Sequence, residues 1–195
     1  MNLFYLLIGA VVLTLIWVVG VYNFFASAKA RIKAAIQEIG NQLKRQMELI
    51  PNLESSVKGY LKHEKGIFES LTEARKLVAA ASKSGDLKKM TEAGQAFSDI
   101  LPKLQIVVES NPELKGSEVV TNLMDELRDT ADKVMYSRRL LIDLTADYNV
   151  RRVTFPSNIV ANMFGFDELK GLETSDSGDF LKVSDSDTKT PKVSL

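Results

Sequence analysis

The chain has 195 residues, 25 of them basic and 25 acidic, with one histidine and no cysteine. The missing cysteine excludes disulfides, iron–sulfur clusters and thiol nucleophiles, and the lone His63 excludes a multi-histidine metal site. A net charge of zero argues against a nucleic-acid partner, although 14 basic and 9 acidic residues lie between Lys29 and Lys103, against 11 and 16 from Leu104 onward.

Residues 1–28 contain no Asp, Glu, Lys, Arg or His, and Leu3 to Tyr22 is almost continuously apolar. Twenty residues at about 1.5 Å each cover about 30 Å, the thickness of a bilayer's hydrocarbon core, so this segment reads as a transmembrane anchor. A cleaved signal peptide competes, because Ala26-Ser27-Ala28 satisfies the small-x-small pattern. Against it, the first residues carry no Lys or Arg, and the run exceeds the roughly 7 to 15 apolar residues of a cleaved segment. Lys29, Arg31 and Lys33 precede the first acid, Glu38, which predicts the N-terminus outside the inner (plasma) membrane and the body in the cytoplasm. The basic first half favours an anionic leaflet.

From Lys29 the residues Ile32, Ile36, Ile39, Leu43, Met47 and Ile50 step by three or four along one helix face, continuous with the span. Pro51 interrupts, since it lacks the donor for the carbonyl four residues back and disfavours helical geometry at Ile50. A second run through Leu53, Val57, Tyr60, Leu61, Ile67, Leu71, Ala74 and Val78 ends at the turn signal Ser82 to Asp86, where Ser84 or Asp86 can cap the next helix. The third helix runs on Leu87, Met90, Phe97, Leu101, Leu104 and Val108, with a kink expected at Pro102, and stops at Asn111-Pro112. The fourth uses Val119, Leu123, Leu127, Ala131, Val134, Arg138, Leu141, Thr145 and Tyr148, to about Arg151. No window alternates with period two, so no sheet is predicted. After the short apolar segment Ile159 to Phe166, residues 167–195 read as a disordered acidic tail rich in Ser, Asp and Thr.

Several segments are similar to the signature of the LemA family of bacterial membrane proteins: Gln42-Leu43-Lys44-Arg45, Leu49-Ile50-Pro51-Asn52-Leu53, Val57-Lys58-Gly59-Tyr60 and His63-Glu64. The resemblance recurs in Pro112-Glu113-Leu114-Lys115, Tyr148-Asn149, Phe155-Pro156-Ser157-Asn158, Phe164-Gly165-Phe166 and Pro191-Lys192-Val193, with Tyr22-Asn23 at the end of the span. Ile36, Leu141-Ile142 and Pro102 depart from the family pattern. The resemblance implies an all-α fold: an N-terminal transmembrane helix followed by an antiparallel up-and-down four-helix bundle over residues 29–166. It implies no agreed activity, cofactor or catalytic residue; a magnetosome branch of the family is linked to organelle membranes. Local chemistry is in tension with a separate helix after Pro51, because Ile50-Pro51 lacks the Gly, Asn or Asp of a tight reversal and favours a kinked continuous helix.

Each candidate site has a plain alternative. Adjacent side chains on a helix point about 100° apart, so His63-Glu64 does not form an acid–base pair by itself. Asp125, Asp129 and Asp132 recur on one face but are interleaved with Arg128 and Lys133, which reads as a solvated face rather than a metal site. Asp185 and Asp187 have the spacing of a calcium loop without its glycine and terminal glutamate. Gly59 and Gly66, seven apart, are read as points where another helix approaches closely. Tyr148-Asn149 with Phe155-Pro156 and Asn158 is the most informative constellation: Asn149 can bond exposed backbone near the helix end, and Pro156 can direct the chain back across the bundle. Tyr22, Asn23, Pro51, Asn52 and Gly59 complete the set of residues expected to serve structure or partner binding.

The expected function is that of a noncatalytic, membrane-anchored scaffold or adaptor for envelope proteins, without cofactor, metal or nucleic acid, with the bilayer itself as one partner. A membrane-shaping or lipid-surface-binding protein is one alternative. An enzyme whose carboxylates or tyrosines cluster only in three dimensions is the other.

Overall fold

The computed structural model describes residues 2–60 and 65–171. The described residues form helices and no strands: α1 (Asn2–Val57), α2 (Lys65–Ser84), α3 (Leu87–Ser110), the single turn α4 (Pro112–Lys115), α5 (Glu118–Val153) and α6 (Ser157–Met163). α1 alone, at about 1.5 Å per residue, is about 84 Å long. Its first part, Leu3 to Trp17, is exposed and forms a stalk. The remainder is one of the four long helices of the bundle.

α1 and α5 run antiparallel, as Phe25 packing on Tyr148 and Arg45 bonding Glu126 establish. The α2–α3 hairpin closes the bundle, with Arg75 of α2 on Glu54 of α1 at 2.6 Å, and Gln95 and Gln105 of α3 accepting from Arg138 and Arg128 of α5. The apolar stripes meet in a continuous core that includes Ile39, Leu43, Leu53, Leu71, Phe97 and Leu127, each fully buried. Burying such side chains contributes roughly 1.5–3 kcal/mol apiece, which is what holds helices together when their own propensity does not.

The local signals explain the ends. Gly85 adopts a positive φ of 65° after α2, and Asp86 caps α3 by accepting from the Lys89 amide at 3.1 Å. Ser117 caps α5 through the Val120 amide. Pro112 begins α4, where its missing N–H is not needed.

Three expectations are corrected. α1 does not end at Pro51: it runs through the proline to Val57, as the local chemistry of Ile50-Pro51 favours and against a second helix starting there, so Leu53 and Val57 belong to the first helix. Both are buried, and that burial outweighs one lost helical hydrogen bond. Gly59 and Gly66 are not close-approach points, since a Cβ built at either would meet nothing within 4 Å. The close-approach glycine is Gly94, where a Cβ would lie 2.7 Å from Val134 Cγ1 and force α3 away from α5. Finally, residues 167–171 are held against α5 rather than forming the start of a free tail; residues 172–195 lie outside the described ones. Among the described residues Gln46 is the one fully buried side-chain amide, and neither of its polar side-chain atoms has a hydrogen-bond partner.

Candidate functional site

Seven of the ten residues singled out in the sequence, Tyr22, Asn23, Tyr148, Asn149, Phe155, Pro156 and Asn158, gather at the stalk end of the bundle. Pro51, Asn52 and Gly59 lie at the far end. There Tyr60 donates to the Glu113 carboxylate, joining the turn after α1 to α4; this bond holds the Tyr60 hydroxyl above the usual tyrosine pKa. Two segments of the family signature, Val57 to Tyr60 and Pro112 to Lys115, are thus parts of one contact. His63 and Glu64 lie outside the described residues.

The stalk end is built as a cap. After α5 the chain turns through a cis Phe155-Pro156 bond into α6, and the Ser157 hydroxyl donates to the carbonyls of Arg151 and Thr154 at 2.7 and 2.9 Å. α6 ends in a glycine cap: Phe166 N bonds Ala161 O at 2.9 Å, Gly165 N bonds Asn162 O, and Gly165 takes a φ of 68°. That left-handed residue is the reason for the Phe-Gly-Phe sequence, because a side chain with a Cβ is strained there. The reversal drives Phe166 back under the bundle, where its ring stacks on Phe25 at 4.9 Å while Phe164 stays outside against Tyr22 at 5.1 Å. Phe25 is fully buried and also meets Tyr148 edge-on at 5.2 Å.

Polar bonds lock the segment that follows. Tyr148 Oη donates to the carbonyl of Asp167 at 3.0 Å, and Arg152 Nε donates to that of Phe166 at 2.9 Å. Asn149 does what its amide permits in both directions, donating to Leu169 O at 2.8 Å and accepting from Leu169 N at 3.0 Å. The backbone it bonds is the returning C-terminal segment, not the helix end expected from the sequence. Burial raises the Tyr148 hydroxyl pKa above the ordinary tyrosine value, with Arg152 opposing the rise and Asp167 adding to it, so the proton that bonds Asp167 is retained.

Cations ring the cap. Arg151 lies over the Phe24 ring at 4.3 Å and Lys29 over Phe166 at 5.3 Å. Phe24, Phe25, Arg151 and Arg152 escaped the sequence reading, although the aromatic pair directly follows Tyr22-Asn23 and the arginine pair follows Tyr148-Asn149.

Elsewhere, Asp125 pairs with Arg128 at 3.3 Å and Asp129 with Lys133 at 2.7 Å, all largely exposed, as a solvated face requires. Among the described residues no group of three or more metal-ligating side chains converges. Among the described residues the buried polar ones are Gln46, Thr130, Ser137, Thr145 and Ser157, with no charged side chain among them. An open groove between α1 and α5, lined by Arg31, Ala35, Glu38, Tyr136 and Leu140, is mainly apolar.

An all-helical bundle whose first helix projects as an apolar rod, sealed at the rod's base by its own C-terminal segment, defines the class. The LemA family model matches residues 35–194, and the chain belongs to the LemA family. It is similar to the magnetosome protein MamQ of Magnetospirillum gryphiswaldense, 23% identical over 181 residues, a match covering 81% of this chain and 66% of that protein. The chain therefore spans just under two thirds of that relative.

Proposed function

We propose that this LemA-family protein is a membrane-anchored, noncatalytic scaffold or adaptor, held in the inner membrane by the first part of α1 with its body on the cytoplasmic side. The observation that carries the reading is the continuity of α1: one unbroken helix is both the exposed apolar stalk and a core element of the bundle. A rigid connection of that kind sets the body at a fixed height and angle over the bilayer, which suits a platform for other envelope proteins. The magnetosome association in MamQ's name favours a membrane setting. Lys29, Arg31 and Lys33 immediately after the stalk favour the cytoplasmic side. The mainly apolar core and the uncharged buried positions among the described residues favour a noncatalytic role over an enzyme. The cation ring at the stalk base keeps a lipid-surface or membrane-shaping role as the second reading.

A paired set of variants tests the noncatalytic claim. His63→Ala, Glu64→Gln and Asp129→Asn are expected to leave folding and the cellular phenotype of a deletion-complemented strain unchanged. Leu71→Ala and Leu127→Ala, both at fully buried positions, are expected to cost about 2–5 kcal/mol and to lose the phenotype in step with stability. Loss of the phenotype by a polar variant of normal stability and normal membrane level contradicts the reading.

A further inference from the structure

The bare part of the stalk is shorter than a bilayer's hydrocarbon core. Its fully surrounded part, Leu3 to Trp17, is fifteen residues. At about 1.5 Å per residue that is about 22 Å, some 8 Å less than the roughly 30 Å hydrocarbon core. The missing length is present in Val18 to Tyr22, but there α1 is no longer bare: Val21 is 3% exposed and Val18 half-buried, both packed against the rest of the bundle. Whatever covers Val18 and Val21 must enter the bilayer with them.

The elements at that level are the end of α5 and α6, which packs on α1. Phe25 lies opposite Tyr148 in an antiparallel pair, so five residues further along α5 Val153 is level with Gly20, and Phe164 touches Tyr22 directly. This part of the chain has a lipid-compatible composition. Val153 to Phe166 contains no charged residue, the longest such stretch after the N-terminal 28 residues. It also leaves apolar side chains outside: Phe155 is 76% exposed, Val153 67%, Met163 62%, Ile159 56% and Phe164 48%. Such a cluster is costly in water. The cations begin one level higher, with Arg151 beside Phe24 and Lys29 beside Phe166, at the height where lipid phosphates lie if Tyr22 marks the hydrocarbon boundary.

We propose that the turn and short helix from Val153 to Phe164 form a foot that is sunk in the lipid interface beside the stalk, its apolar side chains among the upper acyl segments and Lys29 and Arg151 at the phosphates. The inference rests on the reading of α1 as a membrane-crossing helix. The covered stretch from Val18 to Tyr22 is about 8 Å long, so a foot beside it lies no deeper than the 5–10 Å at which interfacial helices lie. The body is therefore attached to the membrane at two places, which fixes its rotation about the stalk as well as its height.

The chain contains no cysteine, so single cysteines report without background. Val12→Cys in the stalk, Met163→Cys and Ile159→Cys in the foot, and Ile106→Cys on the exposed face of α3 are labelled with an environment-sensitive fluorophore. Each full-length protein is placed in phosphatidylcholine–phosphatidylglycerol vesicles. Quenching by aqueous iodide is compared with quenching by lipids carrying a nitroxide at a shallow or a deep acyl carbon. The foot labels are expected to be quenched by the shallow nitroxide about threefold or more over the Ile106 site and to be screened from iodide; the Val12 label should favour the deep nitroxide. Foot labels open to iodide while Val12 stays screened overturn the foot and leave the anchor standing. Val12 open to iodide overturns both. Foot labels screened from iodide yet unreached by either nitroxide show that protein, as in a second copy of the chain, covers the patch, and this also overturns the proposal.

Discussion

Phe25→Ala is expected to be among the most damaging single truncations in the bundle, costing about 3–5 kcal/mol. Phe25 is fully buried and its ring contacts three others: Phe166 stacked at 4.9 Å, Tyr148 edge-on at 5.2 Å and Phe24 edge-on at 5.5 Å. Removing it deletes the transfer free energy of the ring, opens a cavity, and forfeits aromatic pairings worth about 0.5–1.5 kcal/mol each. For a chain of this size the melting temperature of the detergent-solubilised protein should fall by about 10 °C. Because Phe166 loses its stacking partner, amide exchange at Phe166 and Leu169 should rise more than in the α2–α3 hairpin. Phe164→Ala is the internal control, since that ring lies outside the core and its loss should barely move the melt. An unchanged melt and unchanged exchange in Phe25→Ala contradict the cap as described.

Val12→Arg acts on the other half of α1. Val12 is at the middle of the Leu3 to Tyr22 run, and exchanging valine for arginine there costs roughly 3 kcal/mol of insertion free energy. Each 1.4 kcal/mol is about tenfold, so the membrane-to-soluble ratio should drop about one-hundredfold. Ile106→Arg, at an exposed site on α3, adds the same charge without touching the stalk and should stay with the membrane pellet. Equal retention of both variants means that the stalk does not hold the protein.

Much of this fold is written locally. The apolar N-terminus, the absence of period-two alternation, the Asp86 cap and the limits of α3 and α5 all follow from neighbours a few residues apart. What stayed hidden is what depends on distant partners. At Pro51 the local signals conflict, a proline that costs one helical bond against the lack of any Gly, Asn or Asp for a reversal, and what settles the matter, the burial of Leu53 and Val57, is supplied by other helices. Gly94, not Gly59 or Gly66, takes the close contact because only the packing of α3 on α5 brings Val134 near it. The stalk-end site was legible as a set of unusual residues, Tyr148-Asn149 and Phe155 to Asn158, but not as a cap. The pairing of Phe25 with Phe166 and of Asn149 with Leu169 joins segments that no spacing rule connects.

In this structure's reading α1 is retained and crosses the bilayer, carrying the bundle on an uncleaved stalk. Washing membranes from expressing cells with alkaline carbonate, then taking the intact mass of the protein in pellet and supernatant, tests it most directly. The expected result is a pellet species that still contains the residues before Lys29. A soluble species beginning at or near Lys29, after cleavage behind Ala26-Ser27-Ala28, contradicts it.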